Sequence, residues 1–228
     1  MASTSLLTDI EAALGTAVAL GYAKKAKQHD LYEAYALTLL LEAADNTGWS
    51  WMLQDGWGNQ ITSPVFRMGP GRLTSSGFTF ARLSKAGKQP LEAHLGVKVA
   101  GTALVRKSAA TPSGRLLHEF DLLVLEASNA DTCRAANVDP DYSMVVIHGE
   151  MKYYQGNLSL PLGRASVGMS IECVLDGRSV LVTNRLGLTV QDLVEHHRIC
   201  FRFRVKPSDK IAEYHLRTWF EGMLHQAP

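Results

Sequence analysis

Cysteine is scarce. The chain has three in 228 residues, Cys133, Cys173 and Cys200, with no Cys-x-x-Cys among them. An odd, scattered set argues against a disulfide framework and against a structural zinc site, and it fits a reducing cytosol. Long apolar runs are lacking too, so no membrane span is expected. The N-terminus carries Asp9 and Glu11 ahead of a mixed Ala/Leu stretch rather than a basic segment followed by an apolar one, so no signal peptide is expected. An excess of one charge is also missing: the net charge is +1, and any nucleic-acid contact must come from local patches. Gly69, Pro70 and Gly71 are not followed by Lys-Ser/Thr, which excludes a phosphate-binding loop of that type. Internal repeats, low-complexity segments, helix-turn-helix signatures and zinc fingers are absent.

What remains is ordinary globular composition, 46% hydrophobic and 20% charged. A single domain spanning 1–228 is expected, with enough chain for a sizeable core. Periodicity predicts helices over 5–27 (with Lys24, Lys25 and Lys27 in its last turn), 30–45, 131–136, 160–175 and 189–197, and a last helix from Asp209 to about Met223. Within 160–175, Gly163 and Gly168 are expected to bring the helix close to the sheet. Strands are expected over 49–54, 60–67, 78–83, 91–104, 118–126, 144–147 with a polar tip, 179–183 and 198–206. In the last of these, Arg198, Arg202, Arg204 and Lys206 alternate with Ile199, Phe201, Phe203 and Val205. Such a basic stripe could track a phosphate backbone, or it could be the charged face of an edge strand. Trp57, Arg67 and Arg72, in the Gly-rich stretch 48–77, could clamp exposed bases. For most of the tryptophans there, filling the core is the better reading.

Two strands carry the chemistry. MVVIHGEMKY at 144–153 is an apolar run ending in His148, Glu150 and Lys152, which alternation places on one face. HEFDLLVLE at 118–126 contains Asp121 where polar residues give way to apolar ones. If the strands are neighbours, Asp121 and Glu150 can chelate one divalent cation with Lys152 beside it. On the helix over 30–45, Glu33 shares a stripe with Ala36, Leu37, Leu40 and Ala44. A carboxylate on an apolar face needs a lysine or metal partner, unless it only borders the core and reaches water. Taken singly, Glu150 and Lys152 read as a surface pair worth under about 1 kcal/mol, and Asp121 as a strand-start residue.

Together, Asp121, the Glu150-x-Lys152 triplet and the order helix, antiparallel strands, helix, strand resemble the PD-(D/E)XK, or restriction-endonuclease-like, nuclease superfamily. The resemblance covers about 30–183, and Phe120 stands where that family often has proline. It implies an α/β fold with a mixed central sheet flanked by helices, here extended by a C-terminal strand and helix. It also implies a metal-dependent endonuclease. Asp121 and Glu150 would be its metal ligands, Lys152 its catalytic lysine and Glu33 its helix carboxylate, with Mg²⁺ or Mn²⁺ as cofactor and DNA as substrate. His148 and Gln155 could contact phosphate or position water. Without a recognition domain, targeting would fall to a homodimer or a partner protein, and a role in defence against foreign DNA follows by analogy with the family. Two alternatives stay open: an RNase using the same site, and a non-catalytic nucleic-acid-binding or assembly subunit of the same fold.

Overall fold

A computed structural model describes residues 6–8, 10–12, 27–106 and 117–228. Residues 6–8 and 10–12 are helical; Lys24 and Lys25 lie outside the described residues. Helix α1 (Gln28–Asn46) begins where the Lys27 N–H donates to the Asp30 carboxylate at 2.6 Å, satisfying a donor the helix itself leaves open. Lys27 therefore opens this helix. From Ala34 to Leu41 every residue of α1 is buried. The chain leaves it through Thr47 and Gly48, whose φ of 77° makes the turn into β1 (Ser50–Gln54).

The order then runs β2 (Phe80–Ser84), β3 (Leu91–Ala100), α2 (Thr102–Arg106), β4 (Leu117–Glu126), α3 (Ala127–Ala136), β5 (Val145–Lys152), α4 (Leu160–Glu172), β6 (Ser179–Thr183), α5 (Leu188–His196), β7 (Cys200–Arg202) and α6 (Lys210–Gln226). The seven strands form one mixed sheet in sequence order. β1 to β5 pair antiparallel; β6 joins β5 and β7 joins β6 in parallel. Parallel neighbours need a crossover, supplied here by α4 and α5. β6 is buried at all five positions, as a strand covered on both faces must be.

Helices cover both faces. On one, α1 and Leu216, Phe220 and Leu224 of α6 pack on Ala93, Leu95, Leu122, Val124 and Ile147. On the other, Ala130 and Cys133 of α3 pack with Val97, Val99, Phe120, Leu123 and Leu125. Leu95 and Val97 have the same strand parity yet belong to opposite cores, as do Leu122 and Phe120. Between them lie Gly96, at φ 60°, and Asp121. The β3–β4 ribbon changes face there, and a side chain on Gly96 would meet the Gly69 carbonyl at 3.0 Å.

Several expectations are corrected. Residues 60–67 contribute only the bridge Gln60 to Gln54, because side chains organise this segment instead. Arg67 is 3% exposed, donates to the Arg72 carbonyl at 2.6 Å and lies over Phe78 at 4.6 Å; burial lowers its pKa to about 10. Arg72 pairs with Asp139 at 3.2 Å. Buried Arg67 is not free to clamp a base, whereas Arg72 remains exposed in its surface pair; Trp49 is in the core, and Trp57 stands out in solvent. The expected strand over 198–206 shrinks to the three residues of β7, because Arg198 and Arg204 both take φ near 59° and break the alternation on either side. Gly163 admits α5 residues Val190 and Leu193 rather than the sheet, and Gly168 faces open space. All three cysteines are free. Among the described residues no helix is long and apolar enough to cross a membrane.

Candidate active site

β4 and β5 bring the site together. Their register sets Leu122 opposite Gly149, so Asp121 and Glu150 occupy the next positions of adjacent antiparallel strands. Lys152 Nζ lies 3.0 Å from Asp121 Oδ2 and 3.4 Å from Glu150 Oε1. One ammonium therefore holds both carboxylates, and their separation cannot exceed the sum of those distances. The Met151 N–H donates to Asp121 Oδ2 at 2.7 Å, and the Ser166 hydroxyl of α4 donates to Glu150 Oε2 at 2.6 Å. Asp121 is thus fixed by its neighbouring strand, and Glu150 by the crossover helix.

Asp121 and Lys152 open onto a pocket of about 440 Å³, whereas Glu150, held by Ser166, is not part of its wall. Its walls come from three places: His29, Asp30 and Glu33 of α1, the Met68–Pro70 loop, and Glu119, Asp121 and Lys152 of β4 and β5 with Tyr153 and Tyr154 just beyond β5. The loop is pinned to β3 by two hydrogen bonds, Gly71 N–H to the Gly96 carbonyl and Lys98 N–H to the Gly71 carbonyl, both 2.9 Å. The face change at Gly96 thus builds the far wall. A cleft of similar size, about 450 Å³, lies between Phe201–Arg204 and Ile211–His215. It lacks any comparable convergence of carboxylates on a lysine, so the chemistry favours the β4–β5 pocket.

Electrostatics bind the set together. Burial and then the negative charges of Asp121 and Asp30 push Glu33 up to about 9, only partly offset by Lys152. Glu33 is therefore a neutral acid at pH 7. Burial also raises Glu150, against the pull of Lys152 and Ser166. For Lys152 burial opposes the charge, but Asp121 and then Glu150 hold its pKa above the usual lysine range. It is a firmly protonated cation between two carboxylates.

The chain matches no family model, no curated protein and no solved structure.

Two oxygens converging on a cation suit a hard divalent ion. Mg²⁺ commonly takes one or two carboxylates and keeps several waters. Asp121 and Glu150 supply that pair, and the flexible four-carbon stem of Lys152 lets the ammonium move aside for an ion. Among the described residues no group of three or more His, Cys, Asp or Glu side chains could hold a metal.

The remaining expected residues fall elsewhere. Exposure rises along β5, from 1% at His148 to 10% and 28% for the Glu150 and Lys152 side chains. His148 is on the buried side of that gradient. Its ring packs on Phe120 with centroids 4.2 Å apart and its Nδ1 meets the Ser179 hydroxyl at 2.8 Å. Burial and then the charge of Lys152 depress it to about 3. A neutral, enclosed imidazole does not reach a phosphate outside. Gln155 is exposed past the strand end, outside the pocket wall, and its carbonyl accepts from Arg185 at 3.0 Å. The basic stripe is dispersed. Arg198 pairs with Asp176 at 2.7 Å, Arg204 with Asp209 at 3.1 Å, and Arg202 donates to the His215 carbonyl at 3.2 Å; Lys206 is exposed. Ser166, Asp30, Glu119 and Tyr154 were missed from the sequence. Ser166 had no local signal, since its contact spans a crossover. Asp30 was legible only as a helix cap.

Proposed function

We propose that this chain is a metal-dependent endonuclease of restriction-endonuclease-like architecture that hydrolyses phosphodiester bonds in DNA. The observation that carries the reading is the convergence of Asp121 and Glu150 on Lys152 across adjacent strands. The order α1, antiparallel β3–β4–β5, crossover α4 and parallel β6 supports it. When bound, Mg²⁺ or Mn²⁺ would acidify a water and neutralise charge on the phosphate. Asp121 and Glu150 would hold that ion. Lys152, released from one or both carboxylates, would donate to the phosphate oxygen on which charge develops. Glu33, protonated at neutral pH, is placed on the pocket wall to donate a hydrogen bond or, on losing its proton, to orient water. Targeting by a homodimer or a partner protein, and a place in defence against foreign DNA, belong to the same proposal.

The test is cleavage of supercoiled plasmid, linear duplex, single-stranded DNA and RNA with Mg²⁺, with Mn²⁺ and with EDTA. Cutting that needs metal and falls about 100- to 1,000-fold in Lys152→Ala is the expected result. Cutting of RNA alone would make the chain an RNase with the same site. One observation favours a second reading, a non-catalytic binding or assembly subunit: both carboxylates are already engaged by protein donors. No cutting of any substrate, with no Mn²⁺ binding by calorimetry, would favour it over the nuclease.

A further inference from the structure

Resting on the nuclease reading, we propose that the pocket takes an unpaired nucleotide, from a single strand or a frayed end, with its base stacked on Tyr154. Three observations lead there. The first is size: about 440 Å³ is the room one small ligand occupies, far below that of a continuous duplex.

The second is charge. Duplex affinity is dominated by lysines and arginines neutralising phosphates. Among the described residues the pocket wall offers one lysine, Lys152, and no arginine, against the carboxyl groups of Asp30, Glu33, Glu119 and Asp121, of which Glu33 is protonated at pH 7. Lys152 is already committed to Asp121 and Glu150. A polyanion gains little from this wall except at the metal, so affinity must come from contacts of another kind.

The third is the rim. Tyr154 lies two residues beyond Lys152, is 39% exposed, and lines the pocket; Met68, 49% exposed, lines it from the loop. Tyr154 is held in place. Its N–H donates to Asn184 Oδ1 at 2.8 Å, and its carbonyl accepts from Asn184 Nδ2 at 2.9 Å and from Arg185 Nε at 3.3 Å. Asn184, just past the end of β6, thus continues the β5–β6 pairing with its side-chain amide. Next to it, Tyr153 also lines the pocket but packs on Tyr32, with centroids 5.4 Å apart. A fixed backbone presenting an open aromatic ring beside the reacting groups is a stacking platform, and stacking accepts any base.

The test is fluorescence anisotropy of the full chain with labelled oligo-dT, oligo-U and a blunt duplex of equal length, in Ca²⁺. Oligo-dT is expected to bind more tightly than the duplex. Tyr154→Ala should weaken oligo-dT binding by about 5- to 100-fold, the range for loss of one stacked base, while Tyr154→Phe stays within about twofold. Duplex affinity should not change in either variant. Parallel losses on oligo-U would extend the platform to RNA; an effect on oligo-dT alone would restrict it to DNA, and either is consistent with stacking. The proposal is overturned if oligo-dT does not bind, if the duplex binds as tightly, or if Tyr154→Ala binds oligo-dT like wild type. Those results leave the nuclease reading intact wherever metal-dependent, Lys152-dependent cutting of duplex or plasmid is seen.

Discussion

The ammonium of Lys152 lies between Asp121 and Glu150, and its removal leaves two partly buried carboxylates facing each other. Breaking a fully buried pair costs about 3–5 kcal/mol; with the Lys152 side chain 28% exposed, about 2 kcal/mol is expected for Lys152→Ala in EDTA. Urea unfolding in EDTA and in Mn²⁺ checks this. Mn²⁺ should stabilise the variant more than wild type, because the ion then takes the place of the missing charge. Glu33 gives a pH prediction. It is protonated up to about 9 in the folded chain and ionises near 4.5 in the unfolded one. The unfolded state therefore binds fewer protons between those values, and Glu33 costs stability that grows as pH rises from about 4.5 and levels off above about 9. Glu33→Gln, which cannot ionise, should flatten the fall in Tm across that window and raise Tm at pH 8; an unchanged slope would place Glu33 in water. At this scale the sequence was informative. Lys152 of the Glu-x-Lys triplet and Glu33 on its apolar stripe both proved to line one pocket, whereas nothing local marked Ser166.

Among the elements, α3 is joined to the sheet by a buried ion cluster. Glu92 of β3 has no exposed surface and accepts from Arg134 of α3 at 2.7 and 3.0 Å and from Arg82 of β2 at 2.8 Å, with His94 at 2.9 Å. Burial works against its charge, but the bonds from His94 and Arg134 hold its pKa at about 2. Arg134→Ala should cost about 3 kcal/mol in chemical denaturation, since it removes two of the bonds to a carboxylate that stays buried. Glu92 contributes stability that is present above about 4.5 and lost as pH falls towards 2, so the variant should also show a weaker acid transition in that window. Elements were legible where their pattern was strong: the expected 118–126 and 179–183 became Leu117–Glu126 and Ser179–Thr183. The expected 198–206 failed because alternation of residue types says nothing of the two positive φ angles that end β7.

For the molecule as a whole, the site draws on α1, the Met68–Pro70 loop, β4 and β5, so an ion bound there, as proposed, would stabilise the fold and not one segment. At about a hundred times its dissociation constant, Mn²⁺ should add ~2.7 kcal/mol, which for a chain of this length raises Tm by roughly 5–10 °C. Asp121→Ala should abolish the rise in a calorimetric scan while still unfolding in a single transition. A rise retained in that variant would place the ion elsewhere.

The sequence by itself determined the alternation of helices and strands, the apolar cores of β4 and β5, and the identity of Asp121, Glu150, Lys152 and Glu33 as the groups worth watching. These follow from periodicity, which is local. Tertiary structure alone decided the change of face at Gly96, which opens the pocket beside Asp121, and the depth at which each residue of β5 comes to rest. It also decided that His148 is enclosed while Tyr154 is not, and that the arginines of 198–204 each find their own partner. Burial and pairing depend on residues distant in the chain, and spacing along a strand carries no information about what packs across it.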